Sequence, residues 1–243
     1  MKIPAVDPSR APVAHHLAAC SRRAALALAA ALAATTLLPA CSSGPRVPDW
    51  QMNAQGAAQK ALEAQLSGNT RVERLEWDRA RAEVARTGRP DLMARLELMR
   101  CAAQAASLEP PGCERFEPLR ADAAAGERAY ADYLAGRPLA PDQVALLPQA
   151  QRTVAAAGGA ALSSVEDPPS RLVAASVLLQ SGRATPEVLA VAAETASAQG
   201  WRRPLIAWLT LQTRRAESAG DAQAAAALRR RLDLVEQGGA PSR

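Results

Sequence analysis

Residues Pro168–Gly200 read PPSRLVAASVLLQSGRATPEVLAVAAETASAQG, and this stretch decides the fold class. Asp167 is placed to cap a helix that Pro168 and Pro169 open, because proline's fixed φ and missing N–H suit a first turn. The helix runs to Gln180. Leu172, Val173, Ala174, Ala175, Val177, Leu178 and Leu179 leave it apolar nearly all round, so it is expected at the centre of the molecule. Ser181-Gly182 stops it. Thr185-Pro186 starts a second helix, which runs to Gln199 and ends at Gly200. Two helices joined by a short glycine-containing turn form an antiparallel hairpin.

The same grammar extends in both directions. Downstream, a helix is predicted around Pro204–Ala219, and Asp221 caps a last one with Ala225, Leu228, Leu232 and Val235 on one face. Upstream, Asp49 is read as the cap of a helix from Trp50 to about Leu66, ended by Ser67-Gly68-Asn69. Thr70 opens a second, to about Arg86, in which Glu73, Glu76 and Glu83 alternate with Arg74, Arg79 and Arg86. Alternating charge of this kind marks a solvated face. Pro90 opens a third, where Leu92, Leu96, Met99, Ala103 and Ala106 form an apolar stripe at helical spacing. Residues 114–135 read as short helices split near Pro118, and 139–148 as one or two turns. A helix from Gln149 to about Val165 is interrupted at Gly158-Gly159, since each glycine costs about 1 kcal/mol against alanine in a helix interior. Val and Ile do not alternate and hairpin dipeptides are absent, so no strand is expected.

The chain is therefore expected to be all-α, built of antiparallel helical hairpins over residues 50–237, with a disordered tail at 238–243. Glycine stops at Gly68, Gly88, Gly182, Gly200 and Gly220 recur at roughly the spacing of one helix plus a turn. Residues 171–204, with a small-residue helix, a glycine turn, an alanine-rich second helix and a terminal Pro204, resemble a tetratricopeptide-type hairpin, and 205–236 repeat the theme. The usual aromatic positions are mostly not filled, and 108–165 do not fit. A solenoid of stacked hairpins and an irregular helical bundle both remain open.

The first forty residues follow different rules. Lys2, Arg10, Arg22 and Arg23 face one acid, Asp7, and Ala24–Leu38 run without charge. A positive segment, a short apolar segment and small residues describe a secretory signal. Leu38-Pro39-Ala40-Cys41 resembles the lipobox of bacterial lipoproteins. That resemblance implies cleavage between Ala40 and Cys41, a diacylglycerol on the Cys41 thiol and an acylated new N-terminus, hence stable membrane anchoring. Alternative readings are an uncleaved transmembrane helix, an ordinary secretory signal and a structural Cys41. Ser21-Arg22-Arg23-Ala24-Ala25-Leu26 partly resembles a twin-arginine export signal. Ser42 and Ser43 after the cysteine, where Asp would signal retention, point by the same resemblance to the outer membrane with the domain facing the periplasm. Residues 41–49 would be a short lipidated tether of roughly 25 Å reach at about 3.3 Å per residue.

Removal of 1–40 narrows the chemistry. Lys+Arg falls from 29 to 25 and Asp+Glu from 24 to 23, so the net charge falls from +5 to +2. Basic charge is then weak grounds for nucleic-acid binding, and no nucleic-acid partner is expected. Both histidines, His15 and His16, leave with the signal. Without them, Ser-His-Asp and Cys-His catalysis and histidine-ligated zinc are excluded. Lys60 is the one remaining lysine. No cofactor or metal is expected. Cys101 and Cys113 are left as a pair, which in an oxidising compartment reads as a structural disulfide. A redox dithiol would more often be spaced C-x-x-C at a helix start.

Trp201-Arg202-Arg203-Pro204 is the most distinctive tetrapeptide of the remainder. Arginines beside an exposed tryptophan would suit a carboxylate or phosphate partner. Alternatively the tryptophan folds onto the core while the arginines cap the end of the helix at Gln199. Paired acids, Glu114 with Glu117 or Glu166 with Asp167, are the candidates for glycosidase-like chemistry. The expected function is a non-catalytic helical scaffold that binds an envelope protein partner while anchored by lipid. The alternative is an envelope enzyme acting on peptidoglycan through a Glu/Asp pair.

Overall fold

The computed structural model describes residues 47–110 and 113–238. The readings at Ala40, Cys41 and the rest of 1–46, and the tail beyond 238, lie outside the described residues. Ten α-helices follow one another: α1 Asp49–Ser67, α2 Thr70–Ala85, α3 Pro90–Ala106, α4 Ala125–Leu134, α5 Pro141–Ala145, α6 Gln149–Ala157, α7 Pro168–Gln180, α8 Pro186–Gln199, α9 Arg202–Ser218 and α10 Ala222–Glu236. Short 3₁₀ segments, Glu117–Leu119 and Gly158–Ser164, complete the backbone, and there is no strand among the described residues. No described helix is long and apolar enough to cross a membrane.

Helix α7 sits at the centre. Leu172, Val173, Ala174, Ala175, Ser176, Val177 and Leu178 are all buried, as expected for a helix apolar on every side. Asp167 Oδ2 accepts from the Ser170 N–H at 2.9 Å, and Thr185 Oγ1 likewise caps α8 through Val188. Around α7 pack α3, α4, α6 and α8, while α1 pairs with α2 and α9 with α10. Helices remote in sequence also meet: α7 lies on α3, and α9 returns to α1. A solenoid limits each hairpin to its neighbours, so this packing is that of an irregular bundle.

Several local expectations are corrected. Pro48, not Asp49, precedes α1; Asp49 is its first residue and places a carboxylate against the positive end of the helix dipole. Thr70 does open α2, and Asn69 before it is the cap, accepting from the Val72 N–H at 3.3 Å. Helix α9 begins at Arg202 rather than Pro204, because a proline anywhere in the first turn removes only an N–H that has no helical partner. In α3 the predicted stripe is split. Leu96, Ala103 and Ala106 are buried, but so are Ala94, Leu98, Cys101 and Ala105, whereas Met99 is 43% exposed. Wedged between α2 and α7, this helix buries two faces and leaves the line between them open. The glycine break is where the sequence put it. A Cβ at Gly159 would lie 2.6 Å from Val188 Cγ2, so only glycine lets this segment approach α8.

The largest correction concerns α2. Glu73 and Glu76 are 6% and 7% exposed, on the same buried side as Trp77, Ala80 and Val84. Glu73 and Glu76 turn inward, and of the alternating charges Arg74, Arg79 and Arg86 keep the solvated side.

Candidate functional site

Trp201 is buried, not an exposed anchor. Its two arginines bond within the chain. Arg202 Nε and Nη2 donate to the carbonyls of Val235 and Glu236 at 3.1 and 2.9 Å, capping the end of α10 rather than α8. Arg203 joins residues remote in the sequence. Its Nη1 donates to Glu73 Oε2 at 2.8 Å and to Glu109 Oε1 at 3.2 Å, and Nη2 to Thr70 Oγ1 at 3.0 Å. Gln65, fully buried in α1, donates to the same Glu109 oxygen at 2.7 Å. This network ties α1, α2, the loop after α3 and α9 together, and it accounts for the buried position of Glu73. The tetrapeptide thus forms a structural clasp, with its guanidinium groups already engaged.

Of the candidate acids, Glu117 and Asp167 are already engaged. Glu117 accepts from Arg120 Nε and Nη2, both at 2.8 Å. Those hydrogen bonds hold its carboxyl below the usual carboxylate range, opposite to the elevation that a general acid needs. Asp167 is the α7 cap, and Glu166 beside it is exposed. Within the bundle, Glu97 is buried and paired with Arg81, and Glu76 accepts from Arg79 at 3.0 Å. No group of three or more candidate metal ligands converges among the described residues.

Cys101 and Cys113 form a disulfide, with Cα atoms 5.2 Å apart. It pins the loop that leaves α3 back onto that helix. A closed loop of about a dozen residues contributes roughly 3 kcal/mol in the chain-entropy account. Phe116, three residues on, is fully buried, and the Arg120 guanidinium lies 5.3 Å from its ring centre.

The open line along α3 gives a surface that the sequence reading missed. A cleft of about 510 Å³ lies between α3, α4 and the α5–α6 connection, lined by Leu98, Met99, Tyr130, Leu146 and Leu147. Arg95 and Glu127 bridge its edge at 2.9 Å. A second cleft, of about 450 Å³, lies on the other side of α3 against α1 and α2, lined by Trp50, Ala54, Val84, Leu92 and Leu96. Both share Arg95 and Met99. Met99 had been placed within a core stripe, and Leu146 in a turn of no assigned role. One signal was available: α3 carries apolar residues on more sides than a single buried face requires. Beneath the first cleft, Tyr130 stacks on Tyr133 at 6.2 Å between ring centres. The Tyr133 hydroxyl donates to Gln151 Oε1 at 2.9 Å, and Gln151 Nε2 donates to the Ser170 carbonyl at 3.1 Å. Burial raises the pKa of both tyrosines. The floor is therefore fixed by hydrogen bonds across α4, α6 and α7, while the rim holds the flexible Met99.

No protein-family model, curated protein or solved structure matches the chain.

Proposed function

We propose that the chain is a lipid-anchored, periplasm-facing protein of the bacterial outer membrane whose helical domain is a non-catalytic partner-binding module. The anchor rests on Leu38-Pro39-Ala40-Cys41, and the Cys101–Cys113 disulfide suits an oxidising compartment. The observation that carries the binding role is the pair of apolar clefts meeting at Arg95 and Met99. Leu92, Arg95, Met99 and Ala102 follow i, i+3, i+7, i+10 along α3 and line the clefts on either side. A ridge at helical spacing between two grooves is the surface onto which another helix packs. Its apolar lining with a polar ion pair at the edge fits an interaction site, and methionine adapts to the side chains it meets. The occupant we assign is an amphipathic helix of an envelope protein, its apolar stripe on Met99 and its polar flank at the Arg95–Glu127 pair.

Met99→Glu and Leu146→Glu test this in the full chain. Both positions are exposed, so each change should alter stability by no more than about 0.5 kcal/mol. Each should nevertheless abolish co-purification of the crosslinked envelope partner, while Arg74→Glu on the solvated side of α2 leaves it intact. Equal recovery with all three variants would sink the reading, as would crosslinking to lipid alone or to a second copy of the chain. Separately, Cys41→Ala should release the protein from the membrane fraction and stop incorporation of labelled fatty acid.

A further inference from the structure

Arg100 occupies an unusual position on α3. Among the described residues, every other arginine that is withdrawn from solvent has a partner: Arg81 pairs with Glu97, Arg120 with Glu117 and Asp132, Arg203 with Glu73 and Glu109, and Arg171 donates to the Val165 carbonyl. Arg100 is half-buried, and its Nε is sealed from solvent with no hydrogen-bond acceptor among the described residues. Burying a charged donor without a partner is unfavourable.

The surroundings sharpen the anomaly. Arg100 lines a small polar pocket of about 100 Å³ together with Gln104, Arg115, Glu97, Glu114 and the Cys101–Cys113 disulfide. Gln104 is one helical turn beyond Arg100, so the two stack on one face. Arg115 comes from the loop, and the disulfide brings it there, since Cys113 is held 5.2 Å from Cys101 at the Cα atoms. Burial, and then the like charge of Arg115, push the Arg100 guanidinium pKa down; Glu73 and Asp78 offset this only in part. The two carboxylates of the pocket do not neutralise the pair. Glu97 is taken by Arg81, and Glu114 is exposed and makes no ion pair with either guanidinium.

From this geometry we propose that Arg100, Arg115 and Gln104 form a binding subsite for a phosphate group, assembled by the Cys101–Cys113 disulfide. The terminal nitrogens of two guanidinium groups and an amide line one pocket from two elements, which suits a tetrahedral oxyanion better than a planar carboxylate. At about 30 Å³ for each water in the liquid, the pocket has room for one such group with little accompanying solvent. The group belongs either to a free phosphate or to a lipid headgroup, and these are separable by experiment. The subsite is independent of the α3 clefts and of the Cys41 anchor.

The test uses the full-length protein with its disulfide intact, titrated with inorganic phosphate against chloride at matched ionic strength. Phosphate should raise the melting temperature and bind saturably. Arg100→Gln should weaken that binding by roughly tenfold or more, as expected for loss of a charge-assisted contact. The exposed Arg115→Gln should weaken it by several-fold, and reduction of the disulfide should do the same by releasing Arg115. Because Arg100 has no partner to lose, Arg100→Gln should melt no lower than the wild type in chloride. Vesicles of phosphatidylglycerol and of phosphatidylcholine, compared at equal lipid, separate the sources. Binding to the anionic vesicles that both substitutions remove assigns a lipid headgroup, whereas response to inorganic phosphate alone assigns the free anion. The proposal is overturned if phosphate acts no differently from chloride, or if the response persists in Arg100→Gln.

Discussion

The bundle has two regions built on opposite principles. Around α7–α9 the core is made of large apolar side chains, among them Leu172, Leu178, Leu189, Trp208 and Leu209. Between α1, α2 and α3 it is made chiefly of alanine: Ala54, Ala57, Ala58, Ala61, Ala80 and Ala103 surround the single large ring of Trp77. Close approach of α1 and α2 brings the backbones together but leaves little apolar area to bury. The same layer contains the buried carboxylates Glu73, Glu76 and Glu97, each matched to an arginine. One region is held by area removed from water, the other by tight packing and ion pairs that need both partners. Burial of charge brings little net stability, but loss of one partner is costly.

Four substitutions or titrations would break or sharpen that contrast. The largest effect is expected from Leu172→Ala at the fully buried centre of α7, which should cost about 2–5 kcal/mol by equilibrium denaturation; a value near zero would mean that α7 is not the centre of the core. Next, Arg203→Gln should cost about 3 kcal/mol, the low end for breaking a buried pair, because the Arg203 side chain retains 20% exposure while Glu73 retains 8%. Adding Glu73→Gln should recover much of that loss in a double-mutant cycle, since no uncompensated charge then remains. Absence of coupling would remove the clasp from the account. In the alanine layer the sensitive direction reverses: Ala80→Leu should lower stability by about 1–3 kcal/mol through overpacking, whereas a filled cavity would raise it.

The smallest effect is a pH dependence. Tyr130 and Tyr133 are the only tyrosines, and burial raises both pKa values in the folded state. Their contribution to stability is therefore complete below the unfolded value of about 10 and declines as pH rises above it, because the unfolded chain releases the protons first. Tyrosinate absorbance should emerge only with unfolding. A separate titration of the native protein near pH 10 would show that the floor of the α3 cleft is open to water.

How much could be read from the sequence differs between the same two regions. The bounds of α7 and α8 follow from Asp167, Pro168, Gln180, Thr185, Pro186 and Gly200, because caps and proline placement act within a few residues. The break at Gly158-Gly159 and the Cys101–Cys113 pairing were also legible. The position of Glu73 was not. A carboxylate on a charge-rich helix is normally solvated, and its partner Arg203 is 130 residues away. Met99 was misplaced for a related reason: which apolar side chain is covered depends on what packs there, and periodicity within one helix does not report its neighbours.

The sequence by itself determined the helices, their stops and the all-α class, since these arise from propensities, caps and apolar periodicity within a turn or two of each residue. It also carries the lipobox-like Leu38-Pro39-Ala40-Cys41, on which the anchor proposal rests. Only the tertiary structure decided that the hairpins close into a bundle, that Arg203 joins α9 to α2, and that Met99 stands between two open clefts. Those outcomes depend on contacts between residues far apart in the chain, whose free energies exist only once both sides are in place.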